Sequence, residues 1–143
     1  MYLLDTNVVS ELRKVKSGRA DLNVAHWARR VLTTELYLSV ITVQELELGI
    51  LLTERRDAQQ GRALHTWLDR QVLPAFAGRL LPVTVPIARQ SAALNSPDPR
   101  PERDRLIAAT ALVHGLTMVT RSVRDFQGTG LSVLDPGQPP ADD

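Results

Sequence analysis

Apolar positions along the 143-residue chain fall into two periods, one for strands and one for helices. Residues 2–4 form an apolar run that stops at Asp5. Val8, Val9 and Leu12 then share one helical face, which predicts a strand followed by a short helix. Asp21 is suited to cap a second helix reaching about residue 32, with Leu22, Ala25, Trp27 and Val31 among its apolar positions. Residues 36–41 are rich in strand formers. Thr42 opens a third helix, because Thr42-x-x-Glu45 matches a capping box ahead of Leu46, Leu48, Ile50 and Leu52. A fourth helix is expected over residues 57–73. Residues 80–85 make a strand that Pro82 confines to a sheet edge or an irregular end.

Pro86 suits the first turn of a further helix, which fades near Asn95 before the Pro-rich loop 96–101. The most regular segment, 103–114, sets Ile107, Ala108, Ala111 and Leu112 on one stripe, with Gly115 where a helix closes. Strands at 116–120 and 131–134 complete the pattern. Strands alternating with helices predict a parallel sheet covered on both faces and joined by right-handed crossovers. The length suits one domain, over residues 1–136, and the closing segment 137–143 is expected to be disordered.

Composition removes several classes of chemistry. The chain has no cysteine, hence no disulfide scaffold, thiolate metal site or cysteine nucleophile, and a reducing cytoplasm is the expected location. No apolar stretch is long enough to span a bilayer, so no membrane is expected as a partner. Net charge is +1, but the balance is uneven: residues 61–130 hold 9 cations against 5 acids, whereas residues 1–60 hold 8 of each. Of the 17 cations 15 are arginine, the side chain whose planar fork suits phosphate. A preference for arginine codons produces the same bias, so charge alone assigns no nucleic-acid partner.

Four acids carry the candidate chemistry. In an open α/β sheet, ligands bind beyond the carboxyl ends of the strands. Asp5 stands directly after a strand expected to be central, although it would also serve simply as a helix cap. Asp104 precedes Ile107, Ala108 and Ala111 by three, four and seven, which places it on the buried stripe of its helix, where a carboxylate needs a cation. Glu45 follows the second strand, and its competing role is to fold back on Thr42 in the capping box. Glu47 points off that face. Asp125 follows the strand 116–120, with the hydroxyls of Thr120 and Ser122 nearby, and is otherwise a turn former. Carboxylates without cysteine or histidine beside them are hard oxygen ligands that select Mg²⁺ or Mn²⁺, and such a cluster performs nuclease chemistry. His26, His65 and His114 are scattered on helices and are expected to be satisfied or solvent-facing.

The segments LLDTNVVSEL, Glu45 after a strand and a threonine, RDRLIAATALVHGLTMVT and TRSVRDF, in this order, resemble the PIN-domain ribonucleases, and among them the VapC toxins of bacterial type II toxin–antitoxin modules. The resemblance covers nearly the whole chain up to Pro136. It implies a PIN-like three-layer α/β sandwich, with a central parallel sheet of about five strands flanked by helices. It also implies Mg²⁺-dependent cleavage of transfer or ribosomal RNA, a homodimer or larger toxin–antitoxin assembly, and a cognate VapB-like antitoxin entering the active-site region.

By position, Asp5, Glu45 and Asp104 resemble the three central metal-site acids. In many PIN domains a fourth acid stands two residues after the strand-ending threonine, here Ser122. VapC toxins often carry Asn there and a further Asp three residues on, here Asp125. Thr6, Asn7, Thr120 and Ser122 are then expected to hold the ligands from behind. Arg100, Arg103, Arg105, Arg121 and Arg124 fall around the same edge; Arg103, Arg121 and Arg124 in particular are candidates for RNA phosphates, against ordinary solvated charge as the alternative.

Two rival enzymes fit poorly. A phosphoacceptor domain needs a lysine near its fifth strand, but the only lysines are Lys14 and Lys16. A haloacid-dehalogenase-type phosphatase needs an acid two residues after Asp5, where Asn7 stands. The remaining alternative is a catalytically idle PIN-fold binding module whose acids only dock a partner protein. The stripe of Val8, Val9, Leu12, Trp27 and Val31 is a candidate partner groove, with core packing as the competing account.

Overall fold

A computed structural model describes residues 1–139. Strand β1 (Tyr2–Leu4) leads into helix α1 (Thr6–Leu12); helix α2 (Leu22–Arg30), strand β2 (Leu36–Ser39) and the long helix α3 (Val40–Arg56) follow. Helix α4 (Ala58–Trp67) runs through a π-helical turn at Leu68–Val72 into the short α5 (Leu73–Ala75). Strand β3 (Leu80–Leu81), helix α6 (Val85–Ala93), helix α7 (Glu102–His114) and strands β4 (Thr117–Val119) and β5 (Val133–Leu134) complete the chain.

All five strands are parallel, in the order β3-β2-β1-β4-β5, so β1 is the middle strand and β3 an edge; β3 stops at Leu81, ahead of Pro82, rather than continuing to residue 85. Tyr2 pairs with Leu36 on one side and Thr117 on the other, which brings the carboxyl ends of β1, β2 and β4 together. Leu3 and Leu4 are both fully buried but belong to opposite faces. Leu4 packs with Val8, Trp27, Leu38, Leu46, Ile50 and Phe76 under α1 to α5, whereas Leu3 packs with Ile87, Ile107, Ala108, Met118 and Phe126 under α6 and α7. The result is the expected three-layer sandwich.

Several expectations are corrected. Strand β2 ends at Ser39 rather than continuing to residue 41, and Ser39, not Thr42, caps α3 by accepting the Ile41 N–H at 3.0 Å. Thr42 lies within the first turn of the helix, fully buried, so no capping box forms with Glu45. Leu22 is 76% exposed rather than part of the apolar face of α2. Helix α7 is buried across Ile107 to Ala111, including Thr110, which hands its hydroxyl to the Leu106 carbonyl. Of the segment expected to be disordered, Gly137 donates its N–H to Asp135 and accepts from Asn23 Nδ2, while residues 140–143 lie outside the described ones.

Candidate metal centre

Asp5 ends the central strand and starts α1, and its two oxygens divide the roles. Oδ1 accepts the Thr6 N–H at 2.8 Å as the helix cap, and Oδ2 accepts the Thr120 hydroxyl at 2.8 Å. Capping and site-building therefore coexist in one side chain, which is 9% exposed. Its carboxyl is pushed above the ordinary range by burial, opposed by the Thr120 and Thr6 bonds and reinforced by the charge of Asp125.

Thr120, fully buried at the end of β4, also accepts the Ser122 N–H at 3.0 Å. Ser122 Oγ in turn accepts from Asn7 Nδ2 at 3.1 Å, and Asn7 Oδ1 accepts the Arg121 N–H at 3.2 Å. Thus Asn7, Thr120 and Ser122 stitch the turn after β1 to the turn after β4 and fix the orientation of Asp5.

Glu45 reaches the same edge from the second turn of α3. Freed from the capping box, its partly buried carboxylate lies 3.8 Å from Arg103. Burial raises it, the Thr6 hydroxyl opposes that rise, and Asp5 and Asp104 add to it. The Thr6 Oγ1 is buried and falls short of hydrogen-bond geometry to any partner among the described residues, as does Thr42 Oγ1. Asp104 occupies the first turn of α7, where the helix dipole favours an anion. Burial raises its carboxyl, followed by the charges of Asp125 and Asp5, with Arg103 opposing. Asp125 is exposed in a short 3₁₀ turn (Val123–Phe126), and its N–H bonds to the Ser122 carbonyl. All four acids share one electrostatic neighbourhood.

Among the described residues, no three acidic or histidine side chains close into a compact ligand cage. A shared neighbourhood of carboxylates is the donor set suited to Mg²⁺, which retains waters and binds proteins through one or two carboxylates. The buried Thr6 hydroxyl beside Glu45, and three carboxyls raised by burial and mutual repulsion, also fit a hard cation.

The arginines are more occupied than the sequence implies. Arg103 faces Glu45. Arg121 pairs with Glu11 at 3.2 Å and Asp21 at 3.7 Å, while Arg100 and Arg105 donate to backbone carbonyls. Arg124 is exposed without an ion pair among the described residues. Glu47 points away from the site, 3.5 Å from His65 Nδ1.

Sequence reasoning missed Glu11, which is 8% exposed and also accepts the Asp21 N–H at 2.8 Å. Its signal was available: Glu11 follows the buried Val8 by three and so shares its face.

Comparison with known proteins places these observations in a family. Residues 2–127 match the PIN domain. The VapC ribonuclease Y4jK of Sinorhizobium fredii is 39% identical over 147 residues, covering 97% of this chain and 99% of that protein. Toxin FitB of Neisseria gonorrhoeae is 38% identical over 142 residues, covering 95% and 98%. The solved structure of FitAB bound to an IR36 DNA fragment aligns with a TM-score of 0.87 at 32% identity, covering 100% of both chains. With its acids at the carboxyl edge of a β3-β2-β1-β4-β5 sheet and relatives matched almost end to end, the chain belongs to the PIN-domain family, among its VapC toxins.

Proposed function

We propose that this protein is the toxin of a toxin–antitoxin module, an Mg²⁺-dependent endoribonuclease held inactive by a cognate VapB-like antitoxin. The observation that carries the reading is the convergence of Asp5, Glu45 and Asp104 at one sheet edge, each with a carboxyl raised by burial and repulsion. The names of the relatives support the same reading: one is a VapC ribonuclease, another a toxin, and the FitAB structure was solved on DNA.

Asp5, Asp104 and Glu45 would hold the cation, with Mn²⁺ as a substitute, and Asp125 would contribute more weakly. When bound, the ion supplies positive charge that eases ionisation of an attacking water and stabilises the negative charge developing on the phosphodiester. The chain's own residues provide the frame. Thr120 and Thr6 fix the Asp5 oxygens, Asn7 and Ser122 brace that turn, and Glu45 orients the water. Water attacks phosphorus in line and the bond to the 3′ oxygen breaks, leaving 5′-phosphate and 3′-hydroxyl ends. No side chain becomes covalently attached. Arg124 positions backbone phosphate, with Arg103 and Arg121 contributing once RNA competes for their carboxylate partners. With two Trp, two Tyr and two Phe in the chain, base stacking is a minor resource, and recognition rests on the shape and backbone of a structured RNA, transfer or ribosomal.

The protein works as a homodimer within a larger assembly with antitoxin. An antitoxin arginine reaching Asp5 and Asp104 would supply the charge these acids need and silence the site. The test is cleavage of cellular RNA by the purified protein in Mg²⁺ and in EDTA, with RNA ends sequenced. Cleavage in Mg²⁺, lost in EDTA and in Asp104→Asn, is expected; equal cleavage by the folded variant would overturn the reading.

A further inference from the structure

Two glycines stand in the α3–α4 hairpin, and packing explains only one of them. A Cβ at Gly61 would lie 2.6 Å from Glu54 Cβ and 2.7 Å from its Cα, so the close approach of the two helices requires glycine there. A Cβ at Gly49 would meet nothing within 4 Å, although glycine in a helix interior is unfavourable relative to alanine. What Gly49 does face is a cleft of about 240 Å³ between α1, α3 and α4, whose wall also includes Thr6, Ser10, Arg13 and Glu45. The cleft therefore begins at Glu45, one of the four acids. Arg13 closes α1 and also lines an adjoining apolar pocket with Trp67 and Phe76.

A nucleic-acid strand with one phosphate at the acids must continue past them, and its next phosphates need cations. Four of the arginines around the acids are committed, Arg103 to Glu45, Arg121 to Glu11 and Asp21, Arg100 and Arg105 to backbone carbonyls, which leaves Arg124 beside Asp125. Arg13 is exposed and has no acid within ion-pair distance among the described residues. Ser10, three positions earlier, presents a hydroxyl on the same helical face.

We propose that this cleft is the track of the RNA strand beyond the scissile phosphate, with Arg13 binding a backbone phosphate and Gly49 leaving room for the sugar–phosphate chain to approach α3. The inference rests on the ribonuclease reading above and adds to it the path of the substrate and two residues that determine it.

The test is binding of a fluorescein-labelled single-stranded RNA of mixed sequence, followed by anisotropy in EDTA, where no cleavage intervenes, across a salt series. Arg13→Ala should weaken binding about three- to tenfold and lower the slope of log Kd against log salt by about 0.7, one phosphate contact, while Arg13→Lys retains the slope. Gly49→Ala should bind more weakly yet melt at the same or a higher temperature, a combination that a merely structural glycine would not give.

Arg89→Ala, an exposed arginine on α6, serves as the comparator for loss of one positive charge. Arg13→Ala and Arg89→Ala changing affinity and slope equally would overturn the proposal. So would Arg13→Ala and Gly49→Ala binding RNA as the wild type does while losing affinity for co-expressed antitoxin, which would assign the cleft to a protein partner. Wild-type protein that neither binds RNA in EDTA nor cleaves it in Mg²⁺ would instead sink the ribonuclease reading itself.

Discussion

Thr120 donates its hydroxyl to Asp5 Oδ2 at 2.8 Å, joining the ends of two adjacent strands across 115 positions of sequence. The Thr120 hydroxyl oxygen in turn accepts the Ser122 N–H. Valine is nearly the same shape but provides neither bond, so Thr120→Val leaves a buried carboxylate oxygen and a backbone donor unmatched. The expected cost is about 1–3 kcal/mol in urea unfolding. Mg²⁺ affinity, read by calorimetric titration, should fall about 10- to 100-fold because Asp5 loses the group that aims it. Unchanged affinity would mean that Thr6 alone orients the carboxylate.

Asp104 sets a pH dependence whose sign is opposite to that of an ordinary surface acid. Its folded carboxyl titrates above the ordinary value of 3.8, first because of burial and then because of Asp125 and Asp5. Such a group favours the fold while protonated, and that contribution is lost as pH rises from the unfolded value through the folded one. Asp104→Asn stays neutral throughout. Without Mg²⁺ it should therefore melt above the wild type at neutral pH, by about 2–4 °C for each kcal/mol relieved. The gap should close as pH falls toward the ordinary carboxylate range. Added Mg²⁺ should raise the wild-type melting temperature and leave the variant nearly unmoved. Scanning calorimetry across pH, with and without the ion, reads all three.

Glu11 behaves in the reverse sense. The Asp21 N–H, then Lys14 and Arg121, hold its carboxyl below the ordinary range against the effect of burial. Its contribution is present above the unfolded value and is lost as pH falls through the folded one. Glu11→Ala removes the acceptor of a backbone donor and a partner of Arg121, and should destabilise by about 1–3 kcal/mol at neutral pH. The penalty, followed by denaturant unfolding, should shrink on acidification.

Ser39 and Thr42 exchange the roles that a capping box would give them. Ser39→Ala should cost about 1 kcal/mol through loss of the α3 cap. Thr42→Val removes a buried hydroxyl without a partner and should be neutral or stabilising. Paired equilibrium unfolding of the two variants distinguishes the assignments, because a capping box would make Thr42 the costly site.

The legible part of the fold was the part in which local and global preferences agree. Helix α7 announced itself through its apolar stripe and its stop at Gly115, which has φ +67°. Strand β1 was recognisable because an apolar run met Asp5. The start of α3 was misread because Val40 and Ile41 are β-branched and extend a strand signal, whereas the deciding event is one hydrogen bond from Ile41 to the Ser39 side chain. The π-helical turn at Leu68–Val72 left no mark in the periodicity. At the site, placement in the sequence made Asp5, Glu45 and Asp104 candidates and put the Thr120 and Ser122 hydroxyls near them, whereas Asn7, which bonds Ser122, entered only through the family resemblance. The engagement of Arg121 by Glu11 and Asp21 was not, because it depends on tertiary distances between segments with no sequence relation.

The strand order also bears on how the protein is made. β1 is synthesised before both of its sheet neighbours but sits in the centre of the sheet, and its neighbour β4 begins only at Thr117. Asp5 must wait for Asp104 and Thr120 to be synthesised, so a nascent or prematurely terminated chain carries the first acid without its companions. The site is thereby assembled only after Thr120 has been synthesised.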